Sequence, residues 1–424
     1  MLKHLLASLV VGGLCFLTGV SAQAESRQFT ITVKAGKHDR ENTPVKVPLA
    51  LASDLAKGGQ VKLTLDGKEI PAQLTQPSLL SKPAAAGDES AVELVFVLPK
   101  LAAGESATLK AEVSSDGQGS KSGKTFSWND TAGKHTDLTH DGQPVLRYMY
   151  QSLDESSKDA RHATMKPYHH VFDPATGKTL LTKGPGGLFP HHRGLFLGFN
   201  KISYGEGGKS KADTWHCNNG EFTGHQNFAT QEAGPILGRH VANINWFGQK
   251  ADHFASEQRE MTAYALPGGT LIEFASRLES EVGPIKLDGD PQHAGFQFRA
   301  TQEVPDKTKD KTYYLRPDGK GQPGKFRNWP GDKGHVNLPW NALSIVVGDQ
   351  RYTVAMLDRP QNPKEARFSE RDYGRFGSYF EYEIDENKPL ELNYRVWVQE
   401  GEMDVEGVQQ LANDFVEPVE VTVQ

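Results

Sequence analysis

Residues Arg259–Glu279 read REMTAYALPGGTLIEFASRLE. Two strand-like runs, Arg259–Leu266 and Thr270–Glu279, flank Pro267-Gly268-Gly269, so the segment predicts an antiparallel hairpin. The same signals recur on both sides of it. Further strands are predicted near Val145–Gln151, His192–Ile202, His240–Phe247, His293–Thr301, Ala342–Val347, Tyr352–Leu357, Ser378–Ile384 and Leu390–Gln399. Turns fall at Gly348-Asp349 and Asp385–Lys388. Only Asp404–Phe415 has a helical pattern, with Asp404 as its cap. No repeat of about 20–50 residues is visible, which argues against a propeller or solenoid. Strands without crossover helices predict an all-β chain whose main unit, residues 125–424, is a large antiparallel β-supersandwich.

Ahead of this unit, residues 25–113 carry shorter period-2 runs. QFTITV (Gln28–Val33) alternates, VKLTLDGKEI turns at Asp66-Gly67, and AVELVFVL and SATLKAEV follow. Such runs suggest a small immunoglobulin-like β-sandwich. SSDGQGSKSGK (Ser114–Lys124) has no large apolar residue and predicts a flexible linker between the two units.

The first 24 residues stand apart. Lys3 and His4 precede an apolar run, and Ala22-Gln23-Ala24 offers small residues for cleavage, the pattern of a secretory signal. Leu14 before Cys15 does not suit lipid attachment. The expectation is an exported protein, periplasmic or extracellular, with no membrane span. Cleavage would leave Cys217 alone, so no internal disulfide is expected. A formal charge of -6 without a dominant basic patch argues against nucleic acid as a partner.

Histidine is distributed unevenly: eleven of fifteen fall between His162 and His335, which marks that region for chemistry. GLFPHHRGLFLGF (Gly187–Phe199) places His191, His192 and Arg193 at the mouth of an apolar run. Strand alternation puts His191 and Arg193 on one face and His192 on the other, unless Pro190 holds this end off the ladder. In DPQHAGFQFRA (Asp290–Ala300), His293, Gln297 and Arg299 share a face with Gly295, while Phe296 and Phe298 face the core. This predicts a cleft floor.

Trp215, His216 and His225 lie in a Gly/Asn-rich segment, Asp213–Phe228, that suits a sugar ring: an aromatic plane beside hydrogen-bonding groups. Arg371, Tyr373 and Arg375 precede a strand carrying Glu381, and the arginines can clamp a carboxylate or an oxyanion. His191, His216, His225 and His293 would be enough for a divalent zinc or copper centre, although no HExxH spacing occurs and nothing in the sequence requires a cofactor.

PHHRGLF, TWHCNNG, DPQHAGFQFR, PWNALSIVV, LDRPQNP and RDYGRFGSYF together resemble a secreted bacterial family labelled "methane oxygenase PmoA", over about Thr125 to Gly401. Members of that family accompany sugar oxidoreductases and glycan-degrading proteins, which implies carbohydrate metabolism. The methane monooxygenase subunit of that name is an integral membrane protein, and this chain has no spanning run. PLELNYRVWVQEGE (Pro389–Glu402) is similar to the closing strands of galactose-mutarotase-like supersandwiches, where His, Arg and carboxylate side chains project from a concave sheet.

The functional expectation is an exported carbohydrate-active enzyme, a lyase or hydrolase of a C–O bond in a glycoside or oxidised sugar. His191 or His192, with His293, would act as acid and base. Arg193 and Arg299 would stabilise negative charge. The alternatives are a non-catalytic glycan-binding protein and a metal-dependent oxygenase.

Overall fold

The computed structural model describes residues 25–84, 87–115, 123–385 and 387–424. The expected leader and most of the expected linker lie outside these residues. The fold is all-β and built from antiparallel sheets.

The Arg259–Glu279 hairpin forms as its pattern requires. Strands His253–Leu266 and Gly269–Ser280 pair in continuous register from Ala255↔Ser280 to Leu266↔Gly269, closing on Pro267-Gly268. Gly268 has φ +89°, a conformation that a side chain would strain. This hairpin sits within a nine-stranded sheet. Phe222–Ala233 and Leu237–Phe247 lie on one side of it; Leu390–Glu400, Gln350–Asp358, Trp340–Val347, Tyr313–Arg316 and Gly319–Lys320 lie on the other.

A second, eight-stranded sheet faces it. Its order is Arg367–Arg371, Arg375–Tyr379, Ala294–Arg299, Leu195–Phe199, Tyr168–Val171, Gln143–Met149, His135–His140 and Phe126–Thr131. One apolar core fills the space between the sheets. Ala294, Phe296 and Phe298 point into it from one strand, Leu195, Leu197 and Phe199 from the next, and Phe376 from a third. Alternation therefore turns Gln297, Arg299 and Arg375 to the other face, away from the core. That face carries the candidate site.

The N-terminal unit is a sandwich of two smaller sheets. Arg40–Leu51, Ser90–Leu101 and Ala72–Thr75 make one. Ser26–Lys34, Ser106–Ser114, Gln60–Leu65 and Lys68–Ile70 make the other, with an unexpected fifth strand, Glu420–Val423, from the far end of the chain. Val421 pairs with Val33 and Val423 with Ile31. The boundary expected at residues 114–124 is thus crossed a second time near the C-terminus. The helix before that strand, Val405–Val416, is capped as predicted, with Asp404 accepting from the Gly407 N–H at 2.8 Å.

The sandwich packs on the outer face of the nine-stranded sheet. Val95 belongs to the same buried cluster as Tyr264, Leu271, Trp340, Val408 and Phe415. Buried ion pairs fasten the contact: Arg40 to Asp414 at 2.8 Å, Lys46 to Glu273 at 2.5 Å, and Arg239 to Glu93 at 3.5 Å. Glu273 also meets Arg395 at 2.6 Å. Burial alone would raise its pKa, but Lys46 and Arg395 outweigh that and hold the carboxyl well below its usual range. Glu273→Ala would leave the buried Arg395 and the half-buried Lys46 without their partner. It is expected to cost about 3–5 kcal/mol, read by urea unfolding. A loss below about 1 kcal/mol would mean that the contact behaves like a solvated surface pair.

Candidate functional site

The strand after the paired histidines begins only at Leu195, and His191 lies in a turn. The His192 N–H donates to the Phe189 carbonyl at 3.0 Å. Pro190 lies in the same turn, so strand alternation does not reach the two histidines. Both rings meet instead of parting, with centroids 4.3 Å apart. His216 lies 4.4 Å from His191, and His293 lies 5.0 Å from His216 and 6.4 Å from His192. Four imidazoles from three segments share one place on the outer face of the eight-stranded sheet.

Two of them are held by the same local device. Asp213 Oδ1 accepts the backbone N–H groups of Trp215 (3.0 Å) and His216 (2.8 Å), and Oδ2 meets His216 Nδ1 at 2.8 Å. Asp290 repeats the pattern: Oδ1 accepts from Gln292 N–H and meets His293 Nδ1, both at 2.9 Å. Asn200 steadies the other oxygen of Asp290 at 3.0 Å. A short Asp-x-x-His turn thus fixes each ring and commits its Nδ1 to a carboxylate. Nε2 remains as the free nitrogen, the arrangement by which carboxylates orient metal-binding histidines. The paired DTWH and DPQH segments carried this signal in the sequence, and it was missed.

His191 completes the group. One nitrogen from each of His191, His216 and His293 lies within 4.8 Å of the others. Its Nε2 is buried without a hydrogen-bond partner. Burial, then the nearby Lys166, His216 and His293, push its pKa down to about 2, so the ring is neutral and able to offer a lone pair. His192 is 2% exposed, with neither ring nitrogen bonded, and burial and Arg375 hold it well below its usual range. A neutral imidazole at pH 7 is a poor proton donor, which counts against the acid role expected of His191 and His192.

The neighbouring part of the face is cationic. Arg375 donates to Gln297 Oε1 at 2.9 Å, Ser369 Oγ at 3.0 Å and the Tyr373 hydroxyl at 3.3 Å. The Arg299 guanidinium lies 4.8 Å from the Tyr373 ring centre. That ring also stacks near His192 at 6.3 Å and meets Phe189 at 5.0 Å. Leu188, Phe189 and Phe326, with Arg371 over Phe326, give the site an exposed apolar border. Five of the fifteen unpartnered buried polar atoms among the described residues belong to His191, His192 and Arg299. Unpaired polar atoms are costly in a stable interior, so their concentration here marks a place built for a ligand.

Other expected residues take different roles. Trp215 is fully buried, packed on Phe196 at 4.7 Å and edge-on to His192 at 5.4 Å, so it cannot present a face to a sugar. Gln297 is also fully buried and positions Arg375. Arg193 is spent on the backbone, donating to the carbonyls of His162, Ala163 and Pro190. His225 belongs to a separate aromatic group with Tyr148, Tyr150 and Phe228, because the expected loop becomes a strand from Phe222 onward. Glu381 is exposed and tied to Arg367 and Tyr379. Cys217 is buried, with its thiol pushed up to about 11 by burial, which keeps it protonated and a poor nucleophile at neutral pH. Sequence reading also missed Lys166, which anchors the Thr214 and Trp215 carbonyls beneath the cluster.

Fold and site together define an all-β protein with a three-histidine cluster beside buried arginines. The chain belongs to a family of unknown function, DUF6807, whose model matches residues 135–413 and so includes every residue of the site. No curated protein gave a match. Among the described residues, no helix is long and apolar enough to cross a membrane.

Proposed function

We propose that this protein is an exported, metal-dependent enzyme that cleaves a C–O bond of a carbohydrate by hydrolysis or elimination. The observation that carries the reading is the triad His191, His216 and His293, with two Nδ1 atoms held by Asp213 and Asp290. Three imidazoles are a ligand set used by catalytic divalent metals, which keep a further position for water or substrate. In that position an ion can polarise an oxygen or lower the pKa of bound water, chemistry that imidazoles alone do not supply. The Phe189 and Phe326 rim and the adjoining arginines suit the mixed apolar and polar faces of a sugar. The leader-like first 24 residues support export.

Elemental analysis of protein purified without immobilised metal tests the reading. About one divalent ion per chain is expected, as for a mononuclear site. Turnover of glycosides or their keto derivatives should disappear on chelation and return on adding the metal. No bound ion, and none taken up on titration with zinc, copper, iron, cobalt, nickel or manganese, would remove the metal reading. Metal-loaded protein that binds glycans without turnover would leave the binding-only alternative.

A further inference from the structure

We infer that the Nε–Nη2 edge of Arg299 receives a carboxylate, so that the substrate of this site is an acidic sugar. The inference rests on the outer sheet face beside the histidine triad being the substrate site. Arg299 is fully buried. Its Nη1 is anchored by the Ala300 carbonyl at 3.0 Å and by the Tyr373 carbonyl. The opposite edge is different: Nε and Nη2 are both buried, and neither has a hydrogen-bond partner.

Three other arginines show what that edge can do. Arg147 grips Asp137 with Nε and Nη2 at 2.6 and 2.9 Å. Arg259 holds Glu257 through the same two atoms, both at 2.8 Å. Arg316 does so with Glu370, its Nε at 2.8 Å. Parallel N–H groups on this edge match the two oxygens of a carboxylate. Arg299 presents the same fork, already oriented, with no protein carboxylate on it.

Nor is the charge balanced nearby. Among the described residues Arg299, Arg371 and Arg375 make no ion pair within 4.0 Å; their partners are carbonyls, hydroxyls and an amide. Of the other buried guanidinium groups, Arg40, Arg239, Arg259 and Arg316 have carboxylates, and Arg193 has three backbone carbonyls in their place. Arginine stays charged even in this setting, although burial lowers Arg299 to about 10. A buried cation without a counter-charge costs stability, and an anionic ligand offsets that cost. Tyr373 links the parts: its ring borders the Arg299 guanidinium, His192 and the exposed Phe189. A sugar carboxylate on Arg299 would therefore lie within one aromatic ring of the imidazoles.

Calorimetric titration of the full chain with glucuronate, galacturonate and gluconate, against glucose and galactose, tests the inference. At least one acid should bind roughly 10–100-fold tighter than its neutral counterpart, the range of charge-assisted hydrogen bonds. Arg299→Lys, which keeps the charge but loses the fork, and Arg299→Gln should reduce that preference to about twofold or less. Unchanged circular dichroism and urea unfolding would show that the fold is intact. Equal binding of acid and neutral sugar by wild type would overturn the inference, and so would an undiminished preference in Arg299→Lys. Should Arg299→Gln fail to fold, the wild-type comparison and Arg299→Lys decide the matter. Inorganic phosphate and sulfate complete the series: tighter binding of these than of any sugar acid would assign the fork to a different oxyanion and also overturn it. Repeating the titration after chelation separates the two proposals. Acid preference in a chain that never holds metal sinks only the metal reading, and metal without acid preference sinks only this one.

Discussion

With the proposed divalent ion on the triad, His191→Ala should abolish metal binding, whereas Asp213→Asn and Asp290→Asn should weaken metal affinity by about 10–100-fold each. The difference follows from where each side chain acts. His191 supplies one of three nitrogens that lie within 4.8 Å of each other. Asp213 and Asp290 act through His216 and His293, fixing the Nδ1 position at 2.8 and 2.9 Å. An asparagine can still accept at that distance, but it neither holds the proton as firmly nor adds negative charge. Cobalt-loaded protein gives the readout, because its visible spectrum reports coordination directly. A purely acid–base histidine cluster predicts the opposite ranking: every variant would change rates, and none would change metal content. His191→Ala that keeps a full equivalent of metal, with unchanged cobalt bands, would exclude His191 as a ligand.

Sequence periodicity identified the fold because the strands obey it. The Pro267–Gly269 turn, the Phe296 and Phe298 face and the Asp404 cap all depend on neighbours within a few residues, and each lies where its pattern required. The site was legible only in part. His191, His216, His293, Arg299, Arg375 and Tyr373 were recognised by residue type, and they do converge. Alternation failed at His191 and His192 because it holds only on a ladder, and theirs starts at Leu195. Trp215 illustrates a different limit: tryptophan beside histidine reads alike whether its face is open or packed on Phe196. The strand Glu420–Val423 was invisible for a third reason. Its partner Ser26–Lys34 lies almost the whole chain away, and four residues carry too little pattern to announce the pairing.

Acidification should destabilise the fold in part through a pair of histidines buried between the two facing sheets. His169 and His240, from the two facing sheets, meet Nε2 to Nε2 at 3.0 Å and are 1% and 0% exposed. Tyr148 stacks on His169, Trp128 stacks on His240, and Arg259, itself paired with Glu257, lies close by. Burial first, then the other histidine and Arg259, hold His169 well below its ordinary value. Burial, His225 and Arg259 lower His240 to about 3. Both folded-state pKa values are depressed, so the unfolded chain takes up protons first as pH falls. The stabilisation is complete above the unfolded value of about 6.5 and is lost progressively below it, until the folded pKa is reached. A group protonated only in the unfolded chain contributes a slope of about 1.4 kcal/mol per pH unit, so His240 alone removes roughly 2 kcal/mol between pH 6.5 and 4.5, and His169 adds to the decline. Urea unfolding across that window should show the decline, and His240→Gln should reduce its slope by one proton. A stability that stays flat from pH 6.5 to 4.5 would mean that these rings accept protons in the folded state, and hence that water reaches them between the sheets.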